Sequence, residues 1–336
     1  MLNRRYCALI SLVTVTAVLW VLYGSKQWIV SATSGHSQEI PPSIPEHQQQ
    51  DDEQPSDCTG FPAHHLADVQ VVLKLGASQP AEQVTSQLNH VANCIDNLLI
   101  VSDKEENVGR FQTYDIIANL PPAYYQNKHA DLKAHAEIND PDVENPGKAI
   151  SSKAGWKLDR FKFLPMVEYA FHERPQAKWF VFLEADTYLV WDTLFHLLGQ
   201  YDPTEAWYMG SPTPGRHLET GERTFFAFGG AGFVLSTAAI QKLVSRNLTA
   251  GEGSISEQYI DLVKDDCCGD SVLGFALANK GVNLAGLYPH FNPHSLHGIP
   301  FRDRYWCQAV ISLHKSHPRD LADFTKFVNK NRDENV

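Results

Sequence analysis

Apolar positions in this chain come in short runs, separated by polar segments with helical spacing. "DVQVVLKLGA" (residues 68–77) is apolar and β-branched and predicts a buried strand. "QPAEQVTSQLNHVANC" (79–94) predicts a helix with Pro80 in its first turn, where a missing N–H does no harm. "NLLIVSD" (97–103) predicts a second strand, and 104–155 is a polar region with no resolvable pattern. "WKLDRFKFLPMVEYAFHE" (156–173) predicts a helix kinked at Pro165, and "KWFVFLEAD" (178–186) a third strand. "WDTLFHLLGQY" then predicts a helix, "AWYMGS" a short strand, and "STAAIQKLVSR" and "SVLGFALANKG" two more helices. Alternation of this kind implies an α/β layered domain with a largely parallel sheet. Ligands of such sheets bind beyond the carboxyl ends of the strands. Lys74, Asp103 and the triplet Glu184-Ala185-Asp186 stand at such ends.

Two N-terminal segments depart from the pattern. Tyr6 to Ser25 carries no charge, and twenty helical residues span roughly 30 Å, the thickness of a bilayer's hydrocarbon core. Arg4 and Arg5 precede it, so the positive-inside rule leaves residues 1–5 in the cytoplasm and the remainder in a lumen. The expected arrangement is an uncleaved signal-anchor over 6–25; a cleaved signal peptide ending near Val30-Ser31-Ala32 is the alternative. Residues 31–57 are proline-rich with almost no large apolar side chains, so 26–57 reads as a disordered stem. The folded body is expected over 58–328 and a frayed tail over 329–336.

The chain has 336 residues, 43% hydrophobic, enough for a sizeable core. With 28 basic and 39 acidic residues its formal charge is −11, which speaks against nucleic acid as the main partner. Outside the anchor stand Cys58, Cys94, Cys267, Cys268 and Cys307. In an oxidising lumen Cys58 with Cys94 is one plausible bridge, and Cys307 with Cys267 or Cys268 another. No spacing supports zinc. Asn247-Leu248-Thr249 is a glycosylation sequon.

The candidate chemistry begins at Glu184-Ala185-Asp186. The preceding strand is apolar throughout, hence buried on both faces, and two carboxylates at its end repel unless a cation lies between them. Hard ions such as Mn²⁺ or Mg²⁺ take oxygen ligands of this kind, usually shared with substrate phosphates. A turn or an exposed edge also accounts for an acid-x-acid triplet standing alone.

In one order the chain carries "KWFVFLEADTYLVWDTL", "YDP", "GGAGFVLS", "GDSVLG" and "ISLHKSHP". This set resembles the Fringe-like and core 1 β-1,3-galactosyltransferase group of glycosyltransferases (family 31), in particular its fungal branch, over roughly residues 66–317. The resemblance implies a GT-A type, Rossmann-like domain that binds a UDP-sugar, in a single-pass type II protein of the Golgi membrane with its catalytic domain lumenal. It matches Glu184-Ala185-Asp186 to the family's DxD motif. Asp186 falls on the metal-binding carboxylate, while Glu184 departs from the pattern and its role stays open between metal, ribose and a metal-bound water. His314 matches the second metal ligand, although a buried structural histidine is the plainer reading of that residue. Asp270 matches the catalytic base, with Asp265 and Asp266 as rivals; a helix N-cap is the bland alternative.

Lys74 and Asp103 resemble positions lining the family's uridine pocket. Gly229 and Gly230 read as a close backbone approach to donor or acceptor, or as a flexible turn. Arg160 and Lys162 either offset diphosphate charge or solvate a helix face. Most tryptophans are core candidates, with Trp306 a candidate for stacking on an acceptor sugar. The histidines of "PHFNPHSLHGIP" (289–300) suit a loop facing the site.

The expected activity is an inverting, metal-dependent β-1,3 transfer from a UDP-sugar to a hydroxyl of a glycan or glycoprotein. Galactose is the first choice of sugar and N-acetylglucosamine the second. The rival from another class is a catalytically silent lumenal binding or chaperone protein on the same fold, and a glycosidase is a weaker one.

Overall fold

The sheet grows outward from β1, Val69–Lys74, all six of whose residues are buried. Val72 faces one apolar layer and Val71 and Leu73 the other, as the two-residue period of a strand demands. β5, Trp179–Glu184, repeats the division, with Phe180 and Phe182 on one side and Trp179, Val181 and Leu183 on the other. That double burial is why both strands read as continuous apolar runs. This computed structural model describes residues 57–126, 129–140, 142, 151–244, 253–300, 305 and 307–333. The expected cytoplasmic tail, anchor and all but the last residue of the stem lie outside them, as do Asn247 and Trp306. No helix among the described residues is long and apolar enough to cross a membrane.

The other strands are β2 Leu98–Ser102, β3 Asn107–Val108, β4 Phe111–Asp115, β6 Tyr188–Leu189, β7 Tyr208–Gly210, β8 Pro212–His217, β9 Arg223–Ala227, β10 Phe233–Ser236, β11 Leu284–Gly286, β12 Phe291–Asn292 and β13 Ser312–Leu313. The main sheet runs β11-β7-β10-β5-β1-β2-β4-β3. β5, β1, β2 and β4 are parallel. β10 is antiparallel to both β5 and β7, so the sheet is mixed rather than largely parallel. β10 is the "FVLS" of the glycine-rich motif, and its antiparallel course carries the preceding glycines to the carboxyl end of β5. A small sheet β12-β13-β6 brings the segment after Leu313 to the same end.

Several expectations need correction. Among its described residues the patternless 104–155 holds β3, β4, a 3₁₀ turn at Pro122–Tyr124, the helix Leu132–Ile138 and the first part of the helix Ser152–Leu158. The helix expected over 156–173 is divided: Ser152–Leu158 ends in a 3₁₀ turn, Asp159–Phe161, and a second helix runs Phe163–Glu173. Pro165 lies in the first turn of that second helix, where its ring is tolerated, rather than in the middle of a continuous one. The closing helix extends over Pro318–Asp333, so the supposed tail is helical as far as Asp333. Cys58 pairs with Cys94. Cys267 pairs with its neighbour Cys268 instead of with Cys307, which is an exposed thiol.

Candidate active site

At the carboxyl end of β5 a cavity of ≈ 530 Å³ is lined by Lys74, Asp159, Glu184, Asp186, Gly230, Asp270 and His314, among others. The acid triplet is shaped by Thr187. Its N–H donates to the Glu184 carbonyl at 3.1 Å, and its hydroxyl oxygen accepts from the Glu184 N–H at 3.2 Å. The same hydroxyl donates to the Gly230 carbonyl at 2.8 Å and so joins the acid turn to the glycine segment. The fourth residue of "EADT" thus has a structural task that the triplet alone does not reveal.

One ligand atom each from Glu184, Asp186 and His314 lie within 4.8 Å of one another, and His314 Nε2 stands 3.5 Å from Asp186 Oδ2. Two carboxylates and an imidazole form a donor set that fits Mn²⁺ or Mg²⁺. Burial holds the His314 ring below its ordinary pKa against the pull of Asp186, which favours the neutral imidazole a metal needs. His314 Nδ1 is buried, and the Pro293 carbonyl acts on the ring in the same sense as Asp186, favouring its protonated form without outweighing burial.

Gly230 is what lets His314 take this place. A Cβ on Gly230 would stand 2.3 Å from His314 Nε2 and 2.5 Å from Cε1. Gly230→Ala must therefore displace the ring. On the UDP and metal sites that the resemblance implies, the expected result is loss of the metal's contribution to UDP binding, by about tenfold or more, in an otherwise folded protein, where overpacking costs about 1–3 kcal/mol. Titration of UDP with Mn²⁺ and with EDTA checks this; unchanged metal dependence would contradict it.

Glu184 faces two ways. It belongs to the candidate metal cluster, and its carboxylate lies 3.3 Å from Lys74 Nζ. Burial pushes its pKa up to about 7 despite Lys74, with Asp159 and Asp186 adding to the rise. An aspartate, one methylene shorter, would have less reach toward Lys74.

From this surface a chain of charges runs inward, buried at Lys74, Lys162 and Asp103. Lys74 also pairs with Asp159 at 2.9 Å, Asp159 with Lys162 at 3.0 Å, and Lys162 with Asp103 at 2.9 Å. Burial pulls both lysines down, but their carboxylate partners outweigh it and hold them above the ordinary lysine range. Burial likewise raises Asp159, yet Lys162 and Lys74 bring it down to about 2. Asp103 is fully buried, also accepts from the Ala77 N–H at 2.7 Å, and does not line the cavity. The Asp103 carboxylate, where a uridine contact is expected, is thus committed to Lys162 and to the Ala77 N–H. Lys162 is fully buried and lies on no solvated helix face. Arg160 is held by Asp131 and by the Asp266 carbonyl. Lys74 does line the cavity.

Asp270 is the second residue of the helix Gly269–Asn279, not its N-cap; that position belongs to Cys268, which makes no side-chain cap. One Asp270 oxygen accepts from the Gly229 N–H and the other from the Ser271 N–H, each at 2.9 Å. Two expectations far apart in sequence, Gly229 and Asp270, meet here. Burial raises the Asp270 pKa against these two N–H donors. Its rivals are otherwise placed. Asp266 is paired with Arg216 at 2.8 Å, and Asp265 is exposed and outside the cavity lining. The histidines of 289–300 do not line the cavity either: His290 bonds the Ala309 carbonyl at 2.7 Å, and His297 lies 3.2 Å from Asp320. Trp179 and Trp191 are buried, whereas Trp156 is 55% exposed on the cavity rim.

The sequence reading missed Asp159, Phe228, Lys315 and the Cys267–Cys268 bridge, all of which line the cavity. Lys315 was legible only as the neighbour of His314. Asp159 carried no signal, since its partners arrive from β1 and from its own helix turn.

Comparison with known proteins bears on the family. A family model described as Fringe-like matches residues 127–333. A zebrafish (Danio rerio) protein named beta-1,3-N-acetylglucosaminyltransferase lunatic fringe is 32% identical over 164 residues, which cover 45% of this chain and 41% of that protein. The Fringe glycosyltransferase of Drosophila melanogaster is 36% identical over 132 residues, covering 36% and 29%. The chain spans less than half the length of each of these relatives. A solved galactosyltransferase, LgtC with donor and acceptor sugar analogues, is 13% identical, covers 78% of this chain and 95% of its own, and superposes with a TM-score of 0.33, too slight a likeness to bear on the chemistry.

Proposed function

Since the chain belongs to the Fringe-like family, we propose that it is a glycosyltransferase of GT-A type that moves a sugar from a UDP-sugar to a hydroxyl of a glycan or glycoprotein, with inversion and β-1,3 linkage. One observation carries the mechanism. Of the four acids lining the cavity, Asp159 is tied to two lysines, Glu184 to Lys74, and Asp186 lies beside His314. Asp270 alone among them is held only by backbone N–H groups. It is therefore the carboxylate free to take a proton from the attacking hydroxyl, and its raised pKa makes it a stronger base than an ordinary aspartate. A single base facing the acceptor, with no second carboxylate serving as nucleophile, suits inversion.

Asp186 and His314, with Glu184 beside them, would hold Mn²⁺ or Mg²⁺. That ion supplies Lewis-acid neutralisation of the diphosphate. Gly229 aims its N–H at Asp270 and fixes the base in place, and Gly230 leaves room for His314. Galactose and N-acetylglucosamine remain the two candidate sugars. The names of the curated relatives favour N-acetylglucosamine, which we place first.

The two disulfides suit an oxidising lumen, and with the uncharged 6–25 segment they support a lumenal domain on a type II Golgi anchor. The test of function is turnover of UDP-sugars by the chain, with the configuration of the new glycosidic bond read by NMR. Retention of the donor's anomeric configuration would overturn the single-base mechanism. A silent binding protein on the same fold is the alternative, and the presence of Asp186, His314 and Asp270 in one cavity favours the enzyme.

A further inference from the structure

The cavity is lined by three cations, Lys74, Arg160 and Lys315. Two are spoken for: Lys74 by Asp159 and Glu184, and Arg160 by Asp131. Lys315 is exposed and has no carboxylate partner among the described residues. Its neighbour His314 belongs to the candidate metal cluster. In an extended strand two successive side chains face opposite ways, yet His314 and Lys315 both line the cavity.

The backbone shows how this comes about. Among the described residues Lys315 is the one non-glycine with a left-handed backbone, at φ 55°. That conformation is uncommon for a residue with a side chain, and it persists where the surroundings over-determine it, often at functional sites. Here they do. The Ser316 N–H donates to the Asp186 carbonyl at 3.0 Å, and the His314 N–H to the Asn292 carbonyl at 3.1 Å. The Gln83 amide spans the Ala185 and Ser316 carbonyls at 3.0 and 3.2 Å. The turn at Lys315 is thus fastened directly to the acid triplet.

We propose that Lys315 is a diphosphate-binding residue of this site, holding the nucleoside diphosphate in the donor and after the sugar has left. The inference rests on the nucleotide-sugar reading above and adds a residue to it. An unpaired ammonium beside the metal cluster makes charge-assisted bonds to phosphate oxygens, acting as a flexible point charge. It has nothing to offer a nucleoside without phosphates.

The experiment titrates the full chain in Mn²⁺ with UDP and with uridine. It compares the native protein with Lys315→Gly, which removes the ammonium while suiting the left-handed backbone, and with Lys315→Arg, which keeps the charge. The glycine variant is expected to lose UDP affinity by about tenfold or more, to keep uridine affinity within about twofold, and to show a weaker dependence on ionic strength. The arginine variant is expected to recover most of the loss. Unchanged UDP affinity in Lys315→Gly, or an equal loss for uridine, would overturn the proposal. Failure of the native chain to bind UDP at all would instead overturn the nucleotide-sugar reading.

Discussion

Asp270→Asn is expected to leave UDP binding intact and to lower sugar transfer by roughly 10²- to 10⁴-fold, the usual contribution of a positioned base. The substitution is mild in structure. An asparagine carbonyl oxygen can still accept from the Gly229 N–H, so the contact that joins the glycine segment to the helix Gly269–Asn279 survives. What disappears is the ability to take a proton. The same residue is expected to set the acid limb of the native pH profile. Burial raises the Asp270 pKa above the ordinary aspartate value, so the base is lost to protonation as pH falls through that raised value. The part of the acid-side decline due to Asp270 should accordingly lie above the usual aspartate range, and it should be missing from the residual rate of Asp270→Asn, which keeps only the part due to Glu184. A pH series of kcat/KM on both proteins checks this. A normal rate in the variant would move the base elsewhere, although Asp266 is closed to that role by its ion pair with Arg216.

Asp186→Ala is the second large effect. It should reduce UDP affinity in Mn²⁺ to the value measured in EDTA, a greater loss than the roughly 10- to 100-fold that follows removal of an outer partner of a metal ligand. The local fold has reason to survive, because Ser316 donates to the Asp186 backbone carbonyl and the Thr187 bonds do not use the Asp186 side chain. Isothermal titration in the two buffers measures the difference. Mn²⁺-dependent binding of native strength in the variant would remove Asp186 from the metal site.

The parts of this site that the sequence displayed are those carried by local pattern. β1 and β5 were legible because burial on both faces removes every polar residue between Val69 and Leu73 except Gln70, and every one between Trp179 and Leu183. The acid triplet stood out against β5. Asp270 and Gly229 were legible singly, but not their hydrogen bond, which joins residues 41 apart.

What stayed hidden depends on pairings across the fold. Lys162 reaches Asp103 through the interior, from a helix turn that a periodicity argument assigns to a continuous helix. The antiparallel course of β10 is also invisible locally, because a four-residue buried strand looks alike in either direction. The bridge between Cys267 and Cys268 leaves no mark in the cysteine spacing, since disulfides ordinarily join residues distant in sequence.

If this cavity transfers a sugar from a UDP-sugar, UDP is set free as the sugar leaves. The most direct test incubates the chain with UDP-N-acetylglucosamine, UDP-galactose and other UDP-sugars, with Mn²⁺ and with EDTA, and follows UDP release with and without simple glycoside acceptors. The expected result is release from one donor, dependent on the metal and raised by an acceptor. UDP binding without release from any donor, in the presence of a broad acceptor panel, would contradict it and leave a binding protein on a transferase fold.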